Sequence, residues 1–193
     1  MAKISVFQSV TLDGVMQGPG RPDEDTRGGF KHGGWANGYQ DSVSMEFAAE
    51  GMAAGGALLF GHRTYADLLG FWTMTPEPNP FTSVLVDSQK YVVSRSSDTV
   101  LEYPNSTLLA GEAAQTVAAL HENDDGDLTI LGSGELVRTL QADGLVDEYI
   151  LQIHPILLGS GTKLFDEGGR VDLILERSIT TTTGVIIAQY STH

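Results

Sequence analysis

Cysteine is missing from this 193-residue chain, and basic residues are scarce in it. The absence of cysteine excludes disulfides, thiolate catalysis, iron–sulfur clusters and cysteine-ligated zinc, and it is compatible with a reducing compartment. Only 11 Lys and Arg stand against 25 Asp and Glu, so the formal net charge of −14 repels nucleic acid and anionic membrane surfaces. The expected partner is therefore a small molecule, and a polyanionic ligand requires a local basic pocket.

Long hydrophobic runs are also lacking. No apolar stretch approaches the roughly 20 residues that cross a bilayer, and residues 3–10 already have the pattern of a strand rather than of a targeting segment. Hydrophobic residues make up 41% of the chain and aromatic residues 8%, which is an ordinary globular mixture. The sequence predicts a single cytoplasmic domain, residues 1–193.

Short apolar segments alternate with helical patterns along most of the chain. Strands are predicted at 3–10, 57–60, 91–93, 107–110, 128–131, 147–157, 171–177 and 184–190. Helices are predicted at 40–54, from 63 to about 71 and at 112–122, and a further helix runs to about 140 after the glycine-rich turn that follows the strand at 128–131. Residues 81–86 fit either a strand or a helical turn. The alternation predicts an α/β fold with a mostly parallel central sheet and helices on both faces. No helix separates the last three strands, so the sheet is expected to end in antiparallel strands, the last pair joined near 182–184.

A segment rich in Gly, Pro and Asp, residues 13–38, separates the first strand from the first helix. It is longer than an ordinary connection and carries Met16, Phe30 and Trp35 among its glycines. We interpret it as a lid or a wall of the substrate site, and a flexible insertion is the alternative.

Three turns that follow predicted strands are candidates for binding phosphate. Gly61-His62-Arg63-Thr64 and Gly132-Ser133-Gly134-Glu135-Leu136 each lead from a strand into a helix, and Ser94-Arg95 closes another strand. Helix N-termini present free N–H groups and a partial positive charge, and arginine offers a bidentate fork. Each turn alone is more often a plain connection. Together they favour a ligand with several phosphates.

These motifs, in their order, resemble the dihydrofolate-reductase-like superfamily, and within it the reductase domain of the bifunctional riboflavin-biosynthesis deaminase/reductase. The resemblance covers nearly the whole chain. It rests on Ser9-Val10-Thr11-Leu12-Asp13-Gly14, Phe60-Gly61-His62-Arg63-Thr64-Tyr65, Val93-Ser94-Arg95, Leu131-Gly132-Ser133-Gly134-Glu135-Leu136 and Pro155-Ile156-Leu157-Leu158-Gly159-Ser160-Gly161, with Leu164-Phe165 behind. It implies a dihydrofolate-reductase-like fold with NADPH over the carboxyl ends of the strands. Dihydrofolate reductase itself has two glycines joined by a cis bond where this chain has Gly132-Ser133.

The resemblance also implies a cofactor site. The turn Gly61-His62-Arg63-Thr64 is expected at the pyrophosphate, Ser94 and Arg95 at the ribose 2′-phosphate, and the turn from Gly132 to Leu136 beside the pyrophosphate and the nicotinamide ribose. A 2′-phosphate needs a base with several donors, so Arg95 favours NADPH over NADH.

The implied reaction is hydride transfer from the nicotinamide to a C=N or C=O carbon, with a proton delivered to the neighbouring heteroatom. A carboxyl group is the usual proton relay. The candidates are Asp13 in its Asp-Gly turn, for substrate contact or proton relay, and Glu46 on the first helix, with Asp41 as a rival to Glu46. A tight turn and an exposed helix carboxylate are the alternatives.

Three further side chains could belong either to the site or to the core, namely His154, Trp35 and Trp72. The five histidines show no spacing typical of a metal site, so no metal is expected.

The leading hypothesis is an NADPH-dependent reductase of a small heterocyclic (pyrimidine- or pterin-like) or carbonyl substrate. The substrate of the riboflavin enzyme carries a ribose phosphate, and the bases left for it here are Lys31, His32 and Lys163. Two alternatives stay open: a non-catalytic NADPH-binding sensor or regulatory protein, and dihydrofolate reductase itself. Relatives commonly pair through their C-terminal strands, so the apolar run 185–188 fits a homodimer or simple burial.

Overall fold

The computed structural model of the chain describes residues 3–76, 80–123, 126–165 and 169–192. In this part of the chain there are eight strands and five α-helices, with a short 3-10 turn at Arg27–Gly29. In chain order they are β1 (Ile4–Thr11), α1 (Ser42–Ala54), β2 (Ala57–Gly61), α2 (His62–Thr73), α3 (Pro80–Asp87), β3 (Lys90–Ser94), β4 (Ser106–Ala110), α4 (Ala113–Asn123), β5 (Leu128–Leu131), α5 (Gly134–Ala142), β6 (Glu148–His154), β7 (Ile174–Thr180) and β8 (Ile186–Ser191).

The strands form one sheet in the order β4-β3-β2-β5-β1-β6-β8-β7. Strand β2 pairs in parallel with β3 and β5, and β3 pairs in parallel with β4, whereas β8 is antiparallel to both β6 and β7. This confirms the predicted α/β class with antiparallel strands at the C-terminal end. The chain divides into two compact units, the first made of Met1–Val6 and Gly51–Asp147 and the second of Phe7–Glu50 and Glu148–His193.

The first unit holds the parallel strands, and its core lies between them and α2 and α3. Buried residues from β2, α2, α3 and β3 form one hydrophobic cluster, namely Leu58, Phe60, Tyr65, Leu69, Leu85 and Val92. Parallel strands covered by helices have nearly continuous apolar sequences, because the side chains on both of their faces are buried. The Tyr65 hydroxyl bonds Ser106 Oγ at 3.0 Å and accepts the Tyr103 N–H at 3.0 Å, so the polar end of this ring is satisfied.

Residues 81–86, which the sequence left between strand and helical turn, belong to helix α3. Pro80 opens the helix at a position where its missing N–H costs nothing. The buried Lys90 caps the C-terminal end of α3. Its Nζ donates to Val86 O in the last turn at 2.9 Å and to Ser88 O, just after the helix, at 2.7 Å. Burial lowers the pKa of Lys90, and nearby Asp87 opposes this shift.

The second unit ends in the antiparallel strands β6, β8 and β7. The turn between β7 and β8 is closed by the Thr181 N–H, which donates to Val185 O at 2.9 Å, and it lies where the sequence predicted the join. Strand β6 stops at His154, before the predicted end at 157, because the next residue, Pro155, has no N–H for the ladder. Strand β7 also begins three residues later than predicted, at Ile174.

Residues 13–38 contain only the 3-10 turn as regular structure, yet they are ordered by specific contacts. The buried Gln17 side chain donates to Asp25 and Arg27 carbonyls at 3.2 and 3.0 Å, and its Oε1 accepts the Thr162 N–H at 2.9 Å. The backbone carbonyl of Gln17 accepts the Trp35 indole N–H at 2.7 Å. These contacts give the segment a defined conformation within the second unit.

A close approach of backbone and side chains fixes the end of this segment against the loop after β6. Gly161 has φ +113°, and a Cβ there would lie 2.6 Å from Phe30 Cε2 and 2.8 Å from Val15 Cγ1. Only glycine fits this position, because any other residue would strain the backbone and displace two buried side chains.

Candidate functional site

Two helix N-termini meet at the carboxyl ends of neighbouring strands in the first unit. Helix α2 follows β2 through Gly61, and α5 follows β5 through Ser133; neither helix has a side-chain cap at its first turn. The Gly61 N–H donates to Ser133 Oγ at 2.9 Å and so joins the two corners. The N–H groups that open α2 and α5 are left for water or an anionic ligand.

The Gly132-Ser133 turn has an unusual backbone. Both residues have positive φ, 65° and 64°, and Ser133 adopts the left-handed conformation with ψ 56°. Glycine takes positive φ without steric cost, whereas a serine there is uncommon and is held here by the hydrogen bond from Gly61. Across the described ranges no peptide bond is cis, so this turn differs from the cis glycine pair of dihydrofolate reductase.

The basic residues expected at the cofactor differ in whether they pair with acidic side chains. His62 and Arg63 are exposed at the start of α2, and neither is paired with any residue that the structure describes. Arg95 is also exposed but lies beside two carboxylates, 3.7 Å from Glu112 and 3.9 Å from Glu135. Glu112 was not among the expected site residues, because nothing in the sequence shows that the start of α4 lies beside the end of β3.

The other expected cofactor residues gather at the same strand ends. Ser94 ends β3, and its hydroxyl bonds Thr99 Oγ1 at 2.7 Å. Thr64 lies in the first turn of α2, and Gly134 and Leu136 are buried in the first turn of α5. The residues expected at the cofactor therefore form one local group within the first unit.

Asp13, in the second unit, is fixed by hydrogen bonds. Its Oδ1 accepts the Thr11 hydroxyl at 2.6 Å and the Leu158 N–H at 3.3 Å, and its Oδ2 accepts the Gly159 N–H at 2.8 Å. The Thr11 hydroxyl, followed by these backbone donors, lowers the pKa of Asp13 to about 2. The carboxyl group is therefore ionised at neutral pH and is a hydrogen-bond acceptor rather than a proton donor.

The two carboxylates considered on or beside α1 differ sharply. Asp41 caps the helix: its Oδ1 accepts the Ser44 N–H at 2.8 Å, and its Oδ2 accepts the Thr182 N–H and hydroxyl, both at 2.6 Å. The Thr182 hydroxyl and the Ser44 N–H lower the pKa of Asp41 to about 2. Asp41 is thus a structural cap. Glu46 is exposed on α1 and is bonded to no residue that the structure describes.

The remaining candidates belong to the cores. His154 is buried, with its ring centroid 5.1 Å from Trp35 and 5.2 Å from Tyr39, and its Nδ1 lies 3.0 Å from Gln152 O. Burial lowers the pKa of His154 despite backbone carbonyls that raise it. Trp35 is buried, and Trp72 packs on the first unit's cluster against Phe81. The structure shows packing contacts for all three, and a part for them in the site stays a prediction.

The described residues carry neither a cluster for a metal ion nor a helix that could cross a membrane. No group of His, Asp or Glu side chains there is arranged to hold a metal ion. None of the helices in that part of the chain combines the length and apolar character needed to span a membrane.

Comparison with known proteins agrees with the motifs. A family model described as the RibD C-terminal domain matches residues 2–187. The uncharacterized protein YyaP of Bacillus subtilis (strain 168) is 32% identical over 139 residues, which are 69% of this chain and 72% of YyaP.

Solved structures share the fold. A protein of Shewanella sp. PV-4 whose name points to riboflavin biosynthesis has a TM-score of 0.71 and 24% identity, over 99% of this chain and 98% of that one. Dihydrofolate reductase from Enterococcus faecalis, solved in complex with NADP(H), has a TM-score of 0.59 and 13% identity, over 97% of this chain and 93% of that one. These likenesses confirm the dihydrofolate-reductase-like fold.

Proposed function

Because this chain belongs to the RibD C-terminal domain family, we propose that it is an NADPH-dependent reductase of a small pyrimidine- or pterin-like heterocycle or of a small carbonyl compound. The family supports a reductase-like role, and the named cofactor and substrate class are the proposal. The observation that carries it is the Gly61–Ser133 hydrogen bond, which joins two helix N-termini without side-chain caps at neighbouring strand ends. Such a pair suits the pyrophosphate of a dinucleotide.

The residues at these corners fit a dinucleotide by their chemistry. The N–H groups that open α2 and α5 would hold the pyrophosphate, and beside them Arg63 is a base that pairs with none of the described residues. Ser94 and Arg95 would hold the ribose 2′-phosphate. When bound, a reduced nicotinamide supplies the hydride; the protein's task is to orient the substrate and exclude water.

On the substrate side we assign the two carboxylates to orientation. With a pKa of about 2, Asp13 holds no proton at neutral pH, so it would accept hydrogen bonds from substrate N–H groups rather than protonate them. Glu46 is exposed and without a partner among the described residues, so its carboxylate can make a second such contact. The exposed Lys31, His32 and Lys163 are the bases for any phosphate on the substrate.

Binding of the cofactor is tested by calorimetric titration of NADPH into the wild type and Arg63→Ala. Loss of a charge-assisted phosphate contact should weaken binding by about 1.5 to 3 kcal/mol. Arg170→Ala is the matched control, since it removes the same charge from an exposed arginine that pairs with Asp172. Absence of NADPH binding to the wild type would overturn the proposal.

Turnover is tested by the loss of NADPH absorbance with pyrimidine, pterin and carbonyl substrates. Asp13→Asn should reduce turnover while NADPH affinity stays unchanged, because Asp13 belongs to the substrate side. NADPH binding without reduction of any of these substrates would instead favour a non-catalytic, NADPH-binding sensor or regulatory protein. Methotrexate-sensitive reduction of dihydrofolate would instead identify a dihydrofolate reductase.

We further propose that the protein works in the cytoplasm as a homodimer. The absence of cysteine suits a reducing compartment. Strand β7 ends the sheet with exposed apolar side chains, Ile174 and Leu175 among them, and an open strand edge of this kind is suited to pairing with a second copy.

A further inference from the structure

Two carboxylates flank Arg95, the base assigned to the cofactor's 2′-phosphate. Arg95 Nε lies 3.7 Å from Glu112 Oε1, and Arg95 Nη2 lies 3.9 Å from Glu135 Oε1. We infer that Glu112 is a specificity-determining residue that competes with the 2′-phosphate for Arg95 and so narrows the preference for NADPH over NADH. This inference rests on the proposed function as a nicotinamide-dependent reductase.

The two carboxylates beside Arg95 offset part of its attraction for the 2′-phosphate. One guanidinium stands beside two carboxylates, so the group carries a formal negative charge overall. A phosphate monoester adds about −1.5 to −2 near neutral pH. It is attracted by Arg95 and repelled by both acids, whereas a 2′-hydroxyl is neutral and can donate a hydrogen bond to a carboxylate.

Arg95 is still able to turn towards a ligand. Both of its contacts with the acids are longer than a normal hydrogen bond, and its side chain is 78% exposed. Its N–H donors are therefore not saturated by Glu112 and Glu135. The acids set how much binding free energy a 2′-phosphate gains from Arg95 and do not block the site.

The position of Glu112 is set by the backbone. The N–H of Gly111 donates to Ser94 O at 2.9 Å, which ties the residue before Glu112 to the end of β3. The Glu112 carbonyl then accepts the Thr116 N–H at 3.1 Å, at the start of α4, where the helix dipole favours a carboxylate. The backbone that carries the Glu112 side chain is thus held near the end of β3 by the fold itself.

Glu112 should affect binding of the 2′-phosphate but not of the pyrophosphate, which is assigned to Arg63. Arg63 has no ion-pair partner in the described ranges, so the proposed grip on the pyrophosphate does not involve Glu112. A change at Glu112 should therefore alter the ratio of the two affinities, whereas a change at Arg63 should weaken NADPH and NADH together.

The test is a titration of NADPH and of NADH into the wild type, Glu112→Gln and Glu122→Gln at low ionic strength. Glu122→Gln is the matched control, because it removes one charge of the same kind from the far end of α4, about 15 Å along the helix. Glu112→Gln should raise the ratio of NADPH to NADH affinity about three- to tenfold, and the gain should shrink in 0.5 M salt. Glu122→Gln should leave the ratio unchanged.

A second substitution links the effect to Arg95. On an Arg95→Ala background, Glu112→Gln should raise the ratio of NADPH to NADH affinity much less than it does in the wild type, because the competition for Arg95 is gone and only the direct repulsion of the phosphate is relieved. An unchanged ratio in Glu112→Gln, or an equal rise in Glu122→Gln, would overturn the inference while leaving the reductase proposal intact. If the wild type binds neither nucleotide, it is the proposed function that fails.

Discussion

His154 is a buried imidazole whose pKa burial lowers below the usual 6.5. In the unfolded chain the same ring keeps its ordinary pKa, so between the two values the unfolded state binds more protons. The fold therefore keeps its full free energy of unfolding, as far as His154 is concerned, above pH 6.5. This free energy falls as the pH drops below 6.5, because protonation of the ring then favours the unfolded chain. The ring contacts with Trp35 and Tyr39 make this burial costly to give up.

We predict that the free energy of unfolding of the wild type declines as the pH falls from 6.5 towards 5, and that His154→Gln largely removes this slope. Denaturant unfolding at several pH values measures it. The carboxylates of Asp13 and Asp41, with pKa values of about 2, add their own loss of stability only at lower pH, between about 4 and 2. An equal slope in both proteins between pH 6.5 and 5 would contradict the assignment to His154.

At the residue scale, the sequence identified Asp13 as a candidate but could not show that its carboxylate is hydrogen-bonded and has a lowered pKa. Its partners Leu158 and Gly159 are 145 and 146 positions away, and only folding shows that they occupy the carboxylate. For the same reason Asp41 looked like a rival for the substrate, although Thr182 holds it as a cap. Which of the expected residues touch cofactor or substrate stays a prediction.

At the scale of elements, α3 depends on a residue outside it. Lys90, the first residue of β3, is fully buried and donates to two carbonyls at the end of the helix. These carbonyls have no partner within the helix. Burial of the ammonium group costs free energy, but its removal takes the donor from Ser88 O and leaves Val86 O only the longer bond from Asn105 Nδ2, at 3.4 Å.

Lys90→Met is predicted to lower the free energy of unfolding by about 1 to 3 kcal/mol, because the lost carbonyl bonds outweigh relief from burying the charge. Urea denaturation followed by circular dichroism gives the value. Lys31→Met is the control, since Lys31 is exposed and its charge is equal. A variant at Lys90 more stable than the wild type would show that the buried charge costs more than its hydrogen bonds contribute.

This dependence also explains why the sequence could not decide between a strand and a helical turn at 81–86. Six apolar-rich residues fit either structure, and the choice depends on Pro80 before them and on Lys90 after them. Long amphipathic segments such as α2 and the buried strands β2 and β5 were located within one or two residues. Their pattern is strong enough to be decisive without tertiary contacts.

For the whole molecule, the open edge of the sheet is the feature with the largest consequence. Every residue of β7 is exposed except for the partly buried Ile179, and Ile174 and Leu175 are exposed by 53% and 54%. Edge strands with apolar side chains pair readily unless charge or irregular backbone prevents it. The bulge between Leu175 and Arg177 leaves Ile174 and Leu175 regularly paired with β8.

The wild type is therefore predicted to be a dimer in sedimentation equilibrium, and Leu175→Lys to be a monomer with unchanged circular dichroism. A charged side chain on the edge must be desolvated on pairing, which opposes association. Val100→Lys is the control, because it places the same charge at an apolar residue that is 75% exposed in the first unit. A monomeric wild type, or loss of the dimer in both variants, would contradict pairing through β7.

The order of predicted strands and helices along the sequence was enough to predict a mostly parallel sheet that ends in antiparallel strands. It did not predict that the chain divides into two compact units, with β1 passing from the first into the second after Val6. Whether residues 1–193 unfold as the single domain that the sequence predicts is decided by contacts that no local pattern records.

The ordered state of residues 13–38 affects the thermodynamics of ligand binding. Fixing one residue of a flexible chain costs about 1 to 2 kcal/mol of backbone entropy, and a ligand that folded such a segment on arrival would give up that much of its affinity. Here Gln17, Trp35 and the close approach of Phe30 to Gly161 have already fixed the segment. If these residues do form the predicted wall of the substrate site, a substrate that contacts them meets a preorganised surface, and its affinity depends on the contacts it makes.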